Sequence, residues 1–307
     1  LTSIKAAPRI TGIVEKLACF AGLENHVMIR DIVVNLGIVA TNSSAKDPTG
    51  EFAISIADTF KAHVLAIAFS YEPIIPSAML GGIPPEIIEA ERRESDGKAR
   101  AAIAHFDAAA NRAGVSAESR MITAGIAGAA EQLGRLARRF DLAVVGQVQR
   151  GETDPADVVD EGVLFNSGRP VIFVPYIQKG GLKLDRVMIC WDGSRAATRA
   201  IADAMPFLKK AKQVEIVMVA SKKAKDDEIP GVDLAQHLAR HGLKIDVKRI
   251  TATETDVGST ILSYAADSSA DMIVMGGYGH SRLREFILGG VTRGLLESMT
   301  VPVLMSH

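Results

Sequence analysis

The residues whose types and spacing could do chemistry lie late in this 307-residue chain. They form the run Gly276-Gly277-Tyr278-Gly279-His280-Ser281-Arg282-Leu283-Arg284-Glu285-Phe286-Ile287-Leu288-Gly289-Gly290-Val291-Thr292-Arg293. The run follows an apolar, strand-like segment and leads into a helical one. Glycine allows positive φ and close backbone approach, so such a loop can aim several amides at a phosphate, and a helix N-terminus behind it adds its dipole. The same glycines also suit a tight loop and a helix cap. Arg282, Arg284 and Arg293 can assist an anion, although an exposed arginine is more often solvated or ion-paired. His280 has no carboxylate at a recognisable spacing to orient it as a general base, so it is not read as catalytic. Far upstream, Asp192-Gly193-Ser194 offers a carboxylate just after another apolar run. Taken alone it reads equally as an Asp-Gly turn ahead of a Ser194 cap, and only its combination with the distal glycines makes it a site residue.

These residues need elements to hold them, and an internal repeat provides the organisation. Asp141-Leu142-Ala143-Val144-Val145-Gly146 matches Asp271-Met272-Ile273-Val274-Met275-Gly276, and Pro170-Val171-Ile172-Phe173-Val174 matches Pro302-Val303-Leu304-Met305. Superposing Gly37 on Gly193 aligns the opening strands as well, and sets Leu36 against Asp192. Continuous apolar strands alternating with amphipathic helices predict a parallel sheet covered on both faces, with right-handed β/α connections. In the second half strands are expected near 186–191, 214–220, 245–250, 271–276 and 302–305, with helices near 195–209 and 231–241, the latter ended by Gly242. In the first half Pro85 to Arg112 reads as one long helix stopped by Gly114.

The glycine spacing separates this loop from better-known phosphate sites. A dinucleotide fingerprint needs G-x-G-x-x-G after the first strand, and a phosphate loop needs G-x-x-x-x-G-K-[ST]. Here two residues separate Gly276 from Gly279 and nine more precede Gly289, after the fourth strand of the unit. That pattern resembles the nucleotide motif of the universal stress protein family, G-x2-G-x9-G-[ST], and the resemblance covers residues 28–307 as two copies of an α/β unit. It implies two Rossmann-like, doubly wound domains in tandem, of the adenine nucleotide alpha hydrolase-like class. The division expected is 28–177, a linker at 178–183 containing Gly180-Gly181, and 184–307. By the same resemblance Asp192 contacts the nucleoside, the backbone near Val219 faces adenine, and Gly276, Gly279, Gly289, Gly290, Val291 and Thr292 hold the phosphates, with Arg282 assisting. Gly290 departs from the motif, which has Ser or Thr there, so one hydroxyl donor is lost while the amide remains. Family members commonly pair through their final strands, which implies an intramolecular pseudo-dimer packed face to face through Val171–Val174 and Val303–Met305, with a homodimer as a further option.

The first half lacks this apparatus. Leu36 stands at the aligned Asp192 position and Gly146-Gln147-Val148-Gln149-Arg150-Gly151 breaks the glycine spacing, so its site is read as degenerate. An inserted segment, Ile38 to Asp47, is expected to cover what remains of the pocket. The acidic stretch Glu152 to Glu161, with Asp154, Asp157 and Asp160, lacks the glycine and ligand order of a calcium loop and is read as a solvated loop.

Composition narrows the functional classes. The 48% hydrophobic and 23% charged content is globular, and a net charge of -1 leaves no footprint for nucleic acid or anionic membrane. The apolar runs are too short to span a bilayer. Cys19 and Cys190 have no metal-ligand spacing and fit a reducing cytoplasm. Residues 1–27 are set aside as an upstream extension or cloning remnant, since Glu15 and Lys16 interrupt any secretory apolar core. The resemblance implies a stress-response protein that binds ATP or AMP, with Mg as an accompanying ion, and acts on an unknown protein partner; with no nucleophile beside a base and no metal cluster, at most slow hydrolysis is expected. A nucleotide-independent interaction module of the same family is the alternative, and a small-molecule hydrolase or transferase using the same crevice is a third reading.

Overall fold

The computed structural model describes residues 28–37, 47–73, 84–147, 155–220, 231–252, 256–277 and 290–307. The first half contributes β1 (Asp31–Asn35), α1 (Pro48–Phe60), β2 (His63–Tyr71), α2 (Pro85–Ala113), β3 (Ala117–Ala124), α3 (Ile126–Ala137), β4 (Leu142–Gly146), α4 (Pro155–Ser167) and β5 (Val171–Val174). The second contributes β6 (Arg186–Cys190), α5 (Arg195–Leu208), β7 (Gln213–Ala220), α6 (Val232–Arg240), β8 (Ile245–Thr251), α7 (Val257–Asp267), β9 (Met272–Gly276), α8 (Gly290–Ser298) and β10 (Val303–Ser306).

Local chemistry sets the element ends. The Ser194 hydroxyl accepts from the Ala197 amide at 3.1 Å and Asp47 accepts from the Thr49 amide at 3.0 Å, so both first-strand helices start on a side-chain cap. The long helix α2 stops where Gly114 takes a φ of 66°. Central strands β1, β4 and β9 bury short apolar runs, residues 32–34, 142–145 and 272–275, as strands covered on both faces must. The outermost strands β3 and β8 instead alternate inward residues with exposed Glu118 and Arg120, or Asp246 and Lys248, which discourages further strand addition.

Among the described residues the strands form one ten-stranded sheet in the order β3-β2-β1-β4-β5-β10-β9-β6-β7-β8. Read from either edge, the order is that of one doubly wound unit repeated. All neighbours are parallel except β5 and β10, which pair antiparallel with Phe173 opposite Val303 and Val171 opposite Met305. Helices α1, α2, α5 and α6 cover one face and α3, α4, α7 and α8 the other. The two final strands thus meet, as expected. The union, however, is edge to edge through backbone hydrogen bonds and not face to face, because each final strand is an edge whose amides and carbonyls need partners.

The pairing register corrects the alignment of the two halves by one residue. Ile32 lies opposite Leu142 and Val187 opposite Met272, so Ile32 corresponds to Val187 and, five residues further along each chain, Gly37 to Asp192. Backbone bonding agrees, since Leu36 donates to Ile67 O just as Trp191 donates to Val217 O. Leu36 therefore matches Trp191, and superposing the two glycines misplaces it.

Candidate functional site

In an open α/β sheet the crevice lies outside the carboxyl ends of the strands where the strand order reverses. In the second unit that point falls between β6 and β9, which are neighbours. Asp192 follows β6, and Gly276 and Gly277 close β9, so the structure brings these residues to the same place. Val219 stands near the same end of β7, half-buried, opposite Ile250.

Each of these residues also has structural work. Asp192 is exposed, and its Oδ1 accepts the Ser194 amide at 2.9 Å across Gly193, whose φ is 75°. This is an Asx turn, and it leaves Oδ2 outside the turn. Gly276 abuts the first turn of α5: a Cβ there would lie 2.4 Å from Ala197 N and 2.6 Å from Ala196 C. No side chain fits, so the glycine is needed for the sheet and helix to approach at all. The Gly277 amide donates to Ser306 O at 2.8 Å, extending the β9–β10 ladder, and is not available to an anion. The Ala197 amide is likewise spent on Ser194.

Gly279, His280, Arg282, Arg284 and Gly289 lie outside the described residues. Gly290 and Val291 open α8, and Thr292 in the same helix is buried at 6% exposure. Arg293 forms an ion pair with Glu297 at 3.0 Å, one turn along, in keeping with a structural role. Among the described residues no group of three or more potential His, Cys, Asp or Glu ligands could hold a metal ion.

Cys190, two residues before Asp192 at the end of β6, is free and buried; burial, followed by the neighbouring Asp192 charge, pushes its thiol up to about 12. It is an inert core residue. In the first unit Asp160 is not on a solvated loop. It sits on α4, 5% exposed, and the remainder of the inserted segment, up to residue 46, lies outside the described residues as do residues 1–27. A signal for the burial of Asp160 exists in the sequence: Asp160 and Thr292 each stand ten residues ahead of the proline before the final strand.

Two five-stranded doubly wound units, each with its crevice at a strand-order reversal, define a Rossmann-type α/β protein. Residues 183–307 match the Universal stress protein family. It is similar to the universal stress protein Slr1230 of Synechocystis sp., at 25% identity over 172 residues, which is 54% of this chain and spans 57% of that relative's length. A universal stress protein structure from Archaeoglobus fulgidus covers 90% of this chain and 96% of its own, with a TM-score of 0.63 at 17% identity. A functionally unknown protein from Pseudomonas aeruginosa PAO1 gives a TM-score of 0.53 at 13% identity, covering 90% and 92% of the two chains. At such identities these structures show the shared fold. Among the described residues no helix is long and apolar enough to cross a membrane.

Proposed function

We propose that the second unit binds one adenine nucleotide, ATP or AMP, in the crevice between β6 and β9, and that occupancy changes how the chain meets a protein partner in a stress response. One observation carries this reading: β6 and β9 are adjacent, so Asp192 and the Gly276-Gly277 end emerge side by side at the reversal of strand order. Asp192 Oδ2, outside the Asx turn on an exposed residue, can accept from a nucleoside hydroxyl. Val219 on the neighbouring strand flanks the place where the base would lie. Gly279, Gly289, Gly290, Val291 and Thr292 then serve the phosphates, with Arg282 and an accompanying Mg ion at that end. We read the chain as two domains, 28–177 and 184–307, joined at 178–183, with binding confined to the second.

Calorimetric titration with ATP and with AMP tests this, with one site per chain expected. Asp192→Ala should weaken binding by ~1 to 3 kcal/mol through loss of a charge-assisted hydrogen bond. Two equivalent sites, or an unaffected variant, would refute the assignment. The structural duties of Asp192 and Gly276 favour a second reading, a nucleotide-independent interaction module. A flat titration with both nucleotides, together with no nucleotide released on denaturing the purified protein, would establish it.

A further inference from the structure

The first unit has its own reversal of strand order, between β1 and β4, and a carboxylate stands in it. Asp160 Oδ1 accepts from Asn35 Nδ2 at 2.7 Å, at the end of β1, and Oδ2 accepts the Gly146 amide at 3.1 Å, at the end of β4. Thr49 Oγ1 borders the same spot, since a Cβ on Gly146 would lie 3.5 Å from both it and Asp160 Oδ2. The lining is buried: Asn35, Thr49, Gln147 and Asp160 are 3%, 4%, 6% and 5% exposed. Gln147 Oε1 accepts the Tyr176 amide at 3.1 Å, yet Gln147 Nε2 and Asn35 Oδ1 have no hydrogen-bond partner among the described residues. The two donors shown to meet in this crevice, Asn35 Nδ2 and the Gly146 amide, demand an acceptor, because an unpaired buried N–H is costly.

The carboxylate arrives on the element that carries the late motif in the other unit. Asp160, Val163, Leu164 and Ser167 on α4 are buried, as are Thr292, Leu295, Leu296 and Met299 at the corresponding places in and just after α8. Asp160 therefore takes the position of Thr292. It is delivered by a rigid part, because α4 packs on α3 where glycines remove the obstructing Cβ: one on Gly134 would sit 2.4 Å from Asn166 Cβ, and one on Gly162 would sit 3.0 Å from Ala130 Cβ.

We infer that the first unit retains an anion seat at its strand-order reversal and that its own Asp160 carboxylate permanently fills it, in place of an external carboxylate or phosphate. The first unit is then a self-liganded copy of the second. A second anion would find the Asn35 and Gly146 donors already engaged. The pair of units presents one exchangeable site and one closed one, whatever ligand the second takes.

Small anions should refill the seat once the carboxylate is removed. Thermal unfolding of the full chain is measured for wild type, Asp160→Ala and Asp160→Asn, each with and without formate, acetate or inorganic phosphate. Asp160→Ala should lower Tm by roughly 5–10 °C, having left two buried donors unpaired. One of the three anions should recover at least half of that loss while shifting wild type little. Asp160→Asn, which fills the seat with a neutral group, should fall between the two and gain nothing. Wild type has the same second unit, so any response common to wild type and variant belongs there and is subtracted before the variant's own recovery is read. An Asp160→Ala protein as stable as wild type would overturn it, as would a loss on which all three anions act no differently than on wild type. If Asp160→Ala does not fold, amide exchange at Gly146 in Asp160→Asn decides: about tenfold faster exchange is expected, and unchanged protection rejects the seat.

Discussion

Replacing Gly276 with alanine separates a packing role from a phosphate-binding role at the first glycine of the motif. The new Cβ would lie 2.4 Å from Ala197 N, 2.6 Å from Ala196 C and 2.9 Å from Ala196 Cβ, so two of its three nearest obstacles are backbone atoms of a helix. Relief requires moving the first turn of α5 or the end of β9. The first turn of α5 is held by the Ser194 cap, and β9 is held by β6 on one side and β10 on the other. Overpacking against mobile side chains costs about 1–3 kcal/mol, and backbone obstacles place this case at the top of that range or above. For a unit of this size ~3 kcal/mol corresponds to a Tm lower by roughly 6–12 °C. The control is Gly146→Ala at the matching position of the first unit, where the nearest atoms are side-chain oxygens at 3.5 Å, an ordinary contact. It should cost under about 1 kcal/mol. Urea unfolding followed by circular dichroism, run on both variants and wild type, gives the comparison. If Gly276→Ala is as stable as Gly146→Ala and instead loses only nucleotide binding, the packing argument fails and the glycine serves the phosphate alone.

Asp47 makes stability depend on pH. Burial, outweighing the Thr49 and Gly50 amides and the nearby His105, raises its carboxyl from 3.8 to about 6. A raised folded value means that this contribution is present below pH 3.8 and is lost as pH rises through 6, amounting to about 3 kcal/mol. Asp47→Asn keeps a capping acceptor and should flatten that part of the stability profile measured by urea titration between pH 4 and 7; an unchanged slope would assign it elsewhere. The Cys190 thiol, pushed up to about 12, should resist an aromatic disulfide reagent in the native protein and react after unfolding. Gly290→Ser should tighten ATP binding by ~0.5–1.5 kcal/mol by restoring the hydroxyl the family motif has there. Weaker binding in a folded variant would show that close backbone approach matters more than the hydroxyl.

Much of the fold was readable before any coordinates. Parallel strands buried on both faces must be written as short apolar runs, so β6 to β10 fall within two residues of where the pattern sets them. Helix ends announce themselves through local chemistry, as Ser194 and Gly114 do. The meeting of β5 with β10 is implied by the family resemblance, although as face-to-face packing and not as the edge-to-edge pairing observed.

What stayed hidden depends on contacts between distant segments. The match of Gly37 to Asp192 is a matter of hydrogen-bond register with β4 and β9, and a glycine in a connecting turn can slide by one residue without disturbing any local pattern. The packing duty of Gly276 stayed hidden because the turn of α5 that presses on it comes some eighty residues earlier in the chain. Asp160 reads as solvated because its partner Asn35 is 125 residues away, and only the closed sheet puts the end of β1 under α4. Residue types, caps and apolar periods are local properties and determine elements and their order. Which polar group lies at a crevice, and whether it faces water, a ligand or another side chain, is settled by burial, and burial exists only once the chain has closed on itself.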